Sequence, residues 1–210
     1  LLGAFIGFLN GWLVTKVKLN SLVTTLGMYF ALRGVVYIYT KQISTPDLWR
    51  LPSFKAIGYG SLGSIPWPAI LVIFIFFTFL WILRNTSFGR RLYAVGGNPN
   101  AAIASGVNVT LMKWICFLIS GVLASLSAVI LASRLGSGQF DAGTGFEFEV
   151  IATVVLGGTS LSGGYGTLWG TIIGVLILGI MSNGMGLCNI STYWQMILTG
   201  AIIIFSVALD

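Results

Sequence analysis

Apolar residues in this chain come in long unbroken runs, and polar residues are confined to short segments between them. A helix rises 1.5 Å per residue, so crossing a bilayer core takes about 20 mostly apolar residues. Six runs approach that length: Leu2–Thr15, Leu19–Tyr39, Trp67–Leu83, Leu111–Ser133, Thr167–Met185 and Tyr193–Leu209. The clearest is Trp67–Leu83, where Thr78 is the only polar residue after Ala69. The runs are apolar on all sides, which predicts helices in lipid and not the short alternating segments of a membrane barrel. A further apolar segment, Phe146–Leu156, would extend only about 16 Å as a helix, half the hydrocarbon thickness. It then meets Gly157–Gly158. It reads either as a re-entrant half-helix or as a short, broken span. Irregular backbone at membrane depth is tolerated only inside protein or along a cavity. The run Gly157–Gly166 is therefore expected to face other helices or a pathway, with Gly157, Gly158, Ser160, Gly163 and Gly164 as its candidate residues.

Composition agrees with that pattern. The 210 residues are 56% hydrophobic and 8% charged, and the mean hydropathy is +0.95. A soluble domain carries about 25% charged residues, so a surface this apolar needs lipid as its solvent. The expected fold is all-α: one polytopic transmembrane domain over residues 1–210, with six spanning helices and one short re-entrant or broken helix. The chain opens Leu1–Leu2 inside an apolar run, with no basic n-region and no small-residue cleavage site. It does not read as a signal peptide, and the expectation is a fragment whose N-terminal helices lie upstream.

Charge orients the helices. Lys16, Lys18, Arg84, Arg90, Arg91 and Lys113 fall on one side by parity, with no acidic residue among them. The opposite side holds Lys41, Arg50, Lys55 and Arg134 against Asp47, Asp141, Glu147 and Glu149. The excess of basic residues places Lys16–Asn20 and Arg84–Thr110 in the cytoplasm. No Lys or Arg follows Arg134, so charge does not orient the last helices. If Phe146–Leu156 spans, Asp210 ends in the cytoplasm; if it re-enters, Asp210 ends outside. The net charge of +6 lies in these short segments and forms no basic stripe with interleaved aromatics, so nucleic acid is not a partner.

Several chemistries find no support. The chain has no His, and Cys116 and Cys188 lack metal-ligand spacing, so neither a metal site nor a catalytic cluster is expected. The glycine run has no following Lys and is no phosphate loop. No carboxylate lies deep in any span, whereas a proton- or sodium-coupled carrier usually needs one. The energy source is therefore expected outside this chain, and no cofactor is expected on it. Asn10, Asn183 and Gln195 are amides in or near spans, suited either to hydrogen bonds across helices or to an uncharged polyol in a pathway. Arg33 sits inside the second run, where a central Arg costs about 2.5–3.5 kcal/mol. It either snorkels, bonds a helix-end carbonyl, or contacts a solute in the pathway. Gly3, Gly7 and Gly11, and again Gly166, Gly170 and Gly174, form stripes one turn apart on which another helix can approach closely, whether for static packing or for sliding.

The 27-residue segment Arg84–Thr110 is long for a link between helices. Within it Asn98 suits an N-cap, Pro99 the first helical position and Gly106 a C-terminal stop. The resulting helix, Asn98–Ser105, is too short to be stable alone in water. It suits a plug for a partner's groove, with Asn98, Pro99, Ala101, Ala102, Ser105 and Gly106 at the junction, or else a surface helix lying on the membrane.

At this loop the sequence resembles a known family. FGRRLYAVGGNPNAAIASGVNV is similar to the cytoplasmic loop of permease subunits in bacterial monosaccharide ATP-binding-cassette importers of the ribose, xylose, arabinose and galactose class. NGWLVTKVKLNSLVTTLGMYFALRGVVY, GSIPWPAI and IATVVLGGTSLSGGYGTLWGTIIGVLILGIMSNGMGL resemble other stretches of that family, so the likeness covers essentially the whole chain. Ser21 departs from the family's usual Pro, while Asn183–Gly184 keeps its NG pair. The resemblance implies a fold similar to vitamin B12-type permeases, with more helices than counted here. It implies a bacterial inner-membrane location and pairing with a second permease copy or sister chain. It also implies a cytoplasmic ATPase that carries the ATP and Mg, and a periplasmic or lipid-anchored sugar-binding protein. Asn98–Ser105 would be the coupling helix. The alternative is a secondary transporter or channel for a small polar solute.

Overall fold

The computed structural model describes residues 1–45 and 48–209; Pro46, Asp47 and Asp210 lie outside them, and with them the parts of the charge and parity expectations that rest on Asp47 and Asp210. In chain order the helices are α1 (Leu2–Thr15), α2 (Ser21–Thr40), α3 (Pro52–Tyr59), α4 (Trp67–Asn85), α5 (Ser87–Gly97), α6 (Pro99–Ala104), α7 (Val109–Leu135), α8 (Phe146–Leu156), α9 (Leu168–Leu187) and α10 (Thr192–Leu209). Among the described residues α2, α4, α7 and α9 are long and apolar enough to cross a membrane, and α1 and α10 are shorter apolar helices. The fold is all-α and polytopic, as the pattern predicts. Among the elements not expected are α3 and a two-residue hairpin pairing Ser61–Leu62 with Ile65–Pro66. Both lie in the polar stretch between α2 and α4, where apolar runs give no signal.

Helix starts are set by side-chain caps. Asn20 accepts from the backbone of Leu22 and Val23, which moves the start of α2 from the predicted Leu19 to Ser21. Asn108 caps α7 through Leu111 N–H at 3.0 Å, and Thr167 caps α9 through Gly170 N–H at 3.0 Å. Hydroxyls inside the spans turn back on their own helix. Thr78 donates to Phe74 O at 2.8 Å, so no polar group of that side chain is left in lipid.

The chain divides into two compact units, one of Leu1–Phe79 with Asn108–Ala142 and one of Leu80–Val107 with Gly143–Asp210. In the first, α1 packs along α7. The stripe Gly3, Gly7 and Gly11 makes this possible: a Cβ at Gly7 would meet Phe117 O at 2.5 Å, and one at Gly3 would collide with Gly121 O. Phe8 sets its ring edge-to-face on Trp114, 4.8 Å between centroids. At the far end of α7, Ser133 donates to Phe54 O and Tyr59 donates to Arg134 O, tying down α3. In the second unit, α8 packs against both α9 and α10. Gly170 and Gly174 approach so closely that a Cβ on either would overlap backbone at Gly157 or Thr153. Large side chains such as Phe74, Trp81 and Ile180 stand exposed, as expected of lipid-facing helices.

Candidate functional site

Asn98 organises the loop between α4 and α7. Its N–H bonds Ala94 O at 3.1 Å, closing α5, and its side-chain oxygen accepts from Asn100 and Ala101 N–H at 3.0 Å each, opening α6. Pro99 occupies the first turn of α6, where its missing N–H costs nothing. The helix stops at Gly106, which takes a left-handed φ of +78°. Gly106 N–H returns to Ile103 O and Val107 N–H to Ala102 O, both 2.9 Å, the pairing of a Schellman cap. Ser105 donates its hydroxyl back to Ala101 O at 3.0 Å. The predicted short helix therefore exists. One expected contact residue needs correction: Ala102 is only 3% exposed and faces into the loop, as does Val95 of α5. The face turned outward carries Pro99, Asn100, Ala101, Ile103 and Ala104, with Ile103 60% exposed.

The glycine run lies against this loop. After α8, Gly158 (φ +79°) and Thr159 return their N–H groups to Val155 O and Val154 O, a second Schellman cap. Ser160 N–H then reaches Tyr165 O at 3.1 Å, and its Oγ accepts from Ser162 N–H at 3.2 Å. Gly163 and Gly164 meet the Gly96–Gly97 pair at the end of α5 backbone to backbone, and Tyr93 donates its hydroxyl to Gly166 O at 2.8 Å. Sequence reasoning named Gly163 and Gly164 but missed their partners Tyr93, Gly96 and Gly97. The doubled glycine just before Asn98 was the available signal.

Arg33 occupies a separate place. Its guanidinium donates to Phe140 O at 3.0 Å, to Ala142 O at 3.4 Å and to Tyr29 Oη at 3.2 Å. It also stands 5.3 Å and 5.9 Å from the ring centroids of Tyr29 and Tyr37. Tyr37 in turn packs edge-on against Phe140. The carbonyls it reaches belong to the loop between α7 and α8 and not to a helix end, the acceptor expected for it. The amides are scattered: Asn10 Oδ1 is buried without a hydrogen-bond partner among the described residues, Asn183 is exposed, and Gln195 accepts from Ser182 Oγ at 3.0 Å, joining α9 to α10. No cluster of metal-ligating side chains occurs among the described residues.

A family model described as branched-chain amino acid transport system / permease component matches residues 1–207. The ribose import permease protein of Bacillus subtilis (strain 168) is 43% identical over 202 residues, covering 96% of this chain and 62% of the relative. The ribose import permease protein of Escherichia coli (strain K12) is 41% identical over 211 residues, covering 100% and 66%. The L-arabinose transport system permease protein of the same strain is 40% identical over 203 residues, covering 96% and 61%. The chain thus spans somewhat less than two thirds of the length of these relatives. No solved structure matches.

Proposed function

Because the chain belongs to the family described as branched-chain amino acid transport system / permease component, we propose that it is the transmembrane permease part of an ATP-binding-cassette importer, carrying a monosaccharide, a pentose or hexose, across the bacterial cytoplasmic membrane. The observation that carries this reading is the identity of about two residues in five with ribose and arabinose permeases along essentially the whole chain. The side bearing Lys16, Lys18, Arg84, Arg90, Arg91 and Lys113 faces the cytoplasm. There α6 is the coupling helix. Its outward face of Pro99, Ala101, Ile103 and Ala104 enters a groove on a separate ATPase subunit, which holds ATP and Mg and performs the hydrolysis. A second permease, identical or a sister chain, completes the pathway, and a periplasmic or lipid-anchored binding protein delivers the sugar. ATP-driven closure of the ATPase pair moves the coupling helices, and the pathway opens alternately to each side. Selectivity resides mainly in the binding protein, since a solute held tightly at mid-membrane would leave slowly.

The test is uptake into proteoliposomes holding the full permease, its ATPase and its binding protein. Labelled ribose, arabinose, xylose and galactose are offered, with leucine as the competing class that the family description suggests. ATP-dependent uptake of a sugar is expected. Uptake that proceeds without the ATPase and follows a proton or sodium gradient would establish a secondary carrier instead, and leucine uptake alone would reassign the cargo.

A further inference from the structure

Resting on the reading above, in which α6 receives the ATPase, we propose that Tyr93, Gly96, Gly163 and Gly164 form a clasp that passes the ATPase stroke from the α5–α6 loop to the α8–α9 hairpin. Four links of this chain lie within one compact unit.

The first link joins α6 to α5. Asn98 ends one helix and begins the other, and Ala102 and Val95 are buried in the loop, so α6 does not shift without α5. The second link joins α5 to the turn. A Cβ at Gly96 would stand 2.6 Å from Gly164 N, one at Gly164 2.6 Å from Gly97 Cα, and one at Gly163 2.8 Å from Gly96 O. Two backbones in direct contact leave no slack of the kind a flexible side chain supplies. Gly163 and Gly164 also have φ of +94° and +78°, a conformation that disfavours any side chain. The Tyr93–Gly166 hydrogen bond fixes the register of this contact.

The third link is the turn itself, closed by Ser160 N–H to Tyr165 O and Gly163 N–H to Ser160 O. The fourth joins the turn to the hairpin. The Schellman cap holds it to α8, and Gly157 and Gly170 press α8 against the start of α9. Coupling passes through such chains of rigid, directly packed elements. In this arrangement the clasp residues are positioning residues. Their removal uncouples hydrolysis from movement.

The experiment uses the full permease with its ATPase and binding protein in proteoliposomes, and labelled ribose as the probe. Three quantities are read: ATPase retained on the purified permease, ATP hydrolysed, and ribose taken up per ATP. Gly96→Val forces the two backbones apart. ATPase retention and hydrolysis are expected to stay near wild type, while ribose per ATP falls by about tenfold or more, the scale of one overpacked contact. Tyr93→Phe adds no atoms and decides the matter should Gly96→Val fail to accumulate. It is expected to lower ribose per ATP by about two- to tenfold, the worth of one neutral hydrogen bond. Unchanged ribose per ATP in both variants overturns the clasp. So does loss of ATPase retention in step with uptake, which would mean that the contact merely folds the docking loop. Failure of the proposed function appears elsewhere, in a wild type that retains no ATPase or imports ribose without ATP.

Discussion

Arg33 shows how a single residue settles inside a span. A guanidinium in the apolar run of α2 is costly unless its donors and its charge find partners. Its donors reach two carbonyls of the segment that follows α7, and its charge lies over the rings of Tyr29 and Tyr37. Those rings sit four residues before and after it, on the same face of the helix, so this half of its environment is visible in the sequence. The carbonyls of Phe140 and Ala142 lie more than a hundred positions away, and main-chain acceptors carry no residue signature. Arg33→Gln keeps one polar group but removes the charge and the fork. Hydrogen bonds to charged groups contribute about 1.5–3 kcal/mol each, and partial exposure of Arg33 places these toward the low end. A lower melting temperature in detergent is expected, with faster thiol labelling of a cysteine introduced at Gln139. Arg33→Lys should rescue only partly, because an ammonium does not span two acceptors as a fork does. Labelling that stays at the wild-type rate in Arg33→Gln would show that these bonds do not hold the segment.

Among the elements, those legible in the sequence were the ones that rest on apolar length or on cap chemistry. The spans appeared because lipid demands continuous apolar runs, and α6 appeared because Asn98, Pro99 and Gly106 mark its ends. Helix α5 was missed. It is amphipathic, only 11 residues long, and its glycine-rich end reads as loop until its partner turn is known. The facing direction of α6 was also beyond sequence, since alanines occupy both its sides: Ala101 and Ala104 are exposed and Ala102 is buried. This gives a paired prediction. Ala102→Arg puts a charge into the packed loop and is expected to unfold it, read as faster tryptic cleavage at Arg90 and Arg91. Ala101→Arg leaves cleavage unchanged and abolishes ATPase retention, because it projects from the outward face. The reverse pattern would place the docking surface on the other side of α6.

At the scale of the whole molecule, the path of the chain turns on α8. Charge leaves everything after Arg134 unoriented, and an 11-residue apolar helix is ambiguous on length alone. A short helix suffices for a crossing only where glycine-rich turns and neighbouring helices satisfy the remaining backbone, and two hydrogen-bonded turns follow Leu156 here. The number of crossings then fixes where α10 ends. If α8 spans, a compartment reporter inserted after Leu209 of the full protein gives the same answer as one inserted at Gly106, and a reporter after Cys188 the opposite. With the basic excess on the α5 side, a fluorescent protein would be bright at Gly106 and Leu209, and a secreted phosphatase active only after Cys188. A phosphatase active after Leu209 would mean that α8 re-enters.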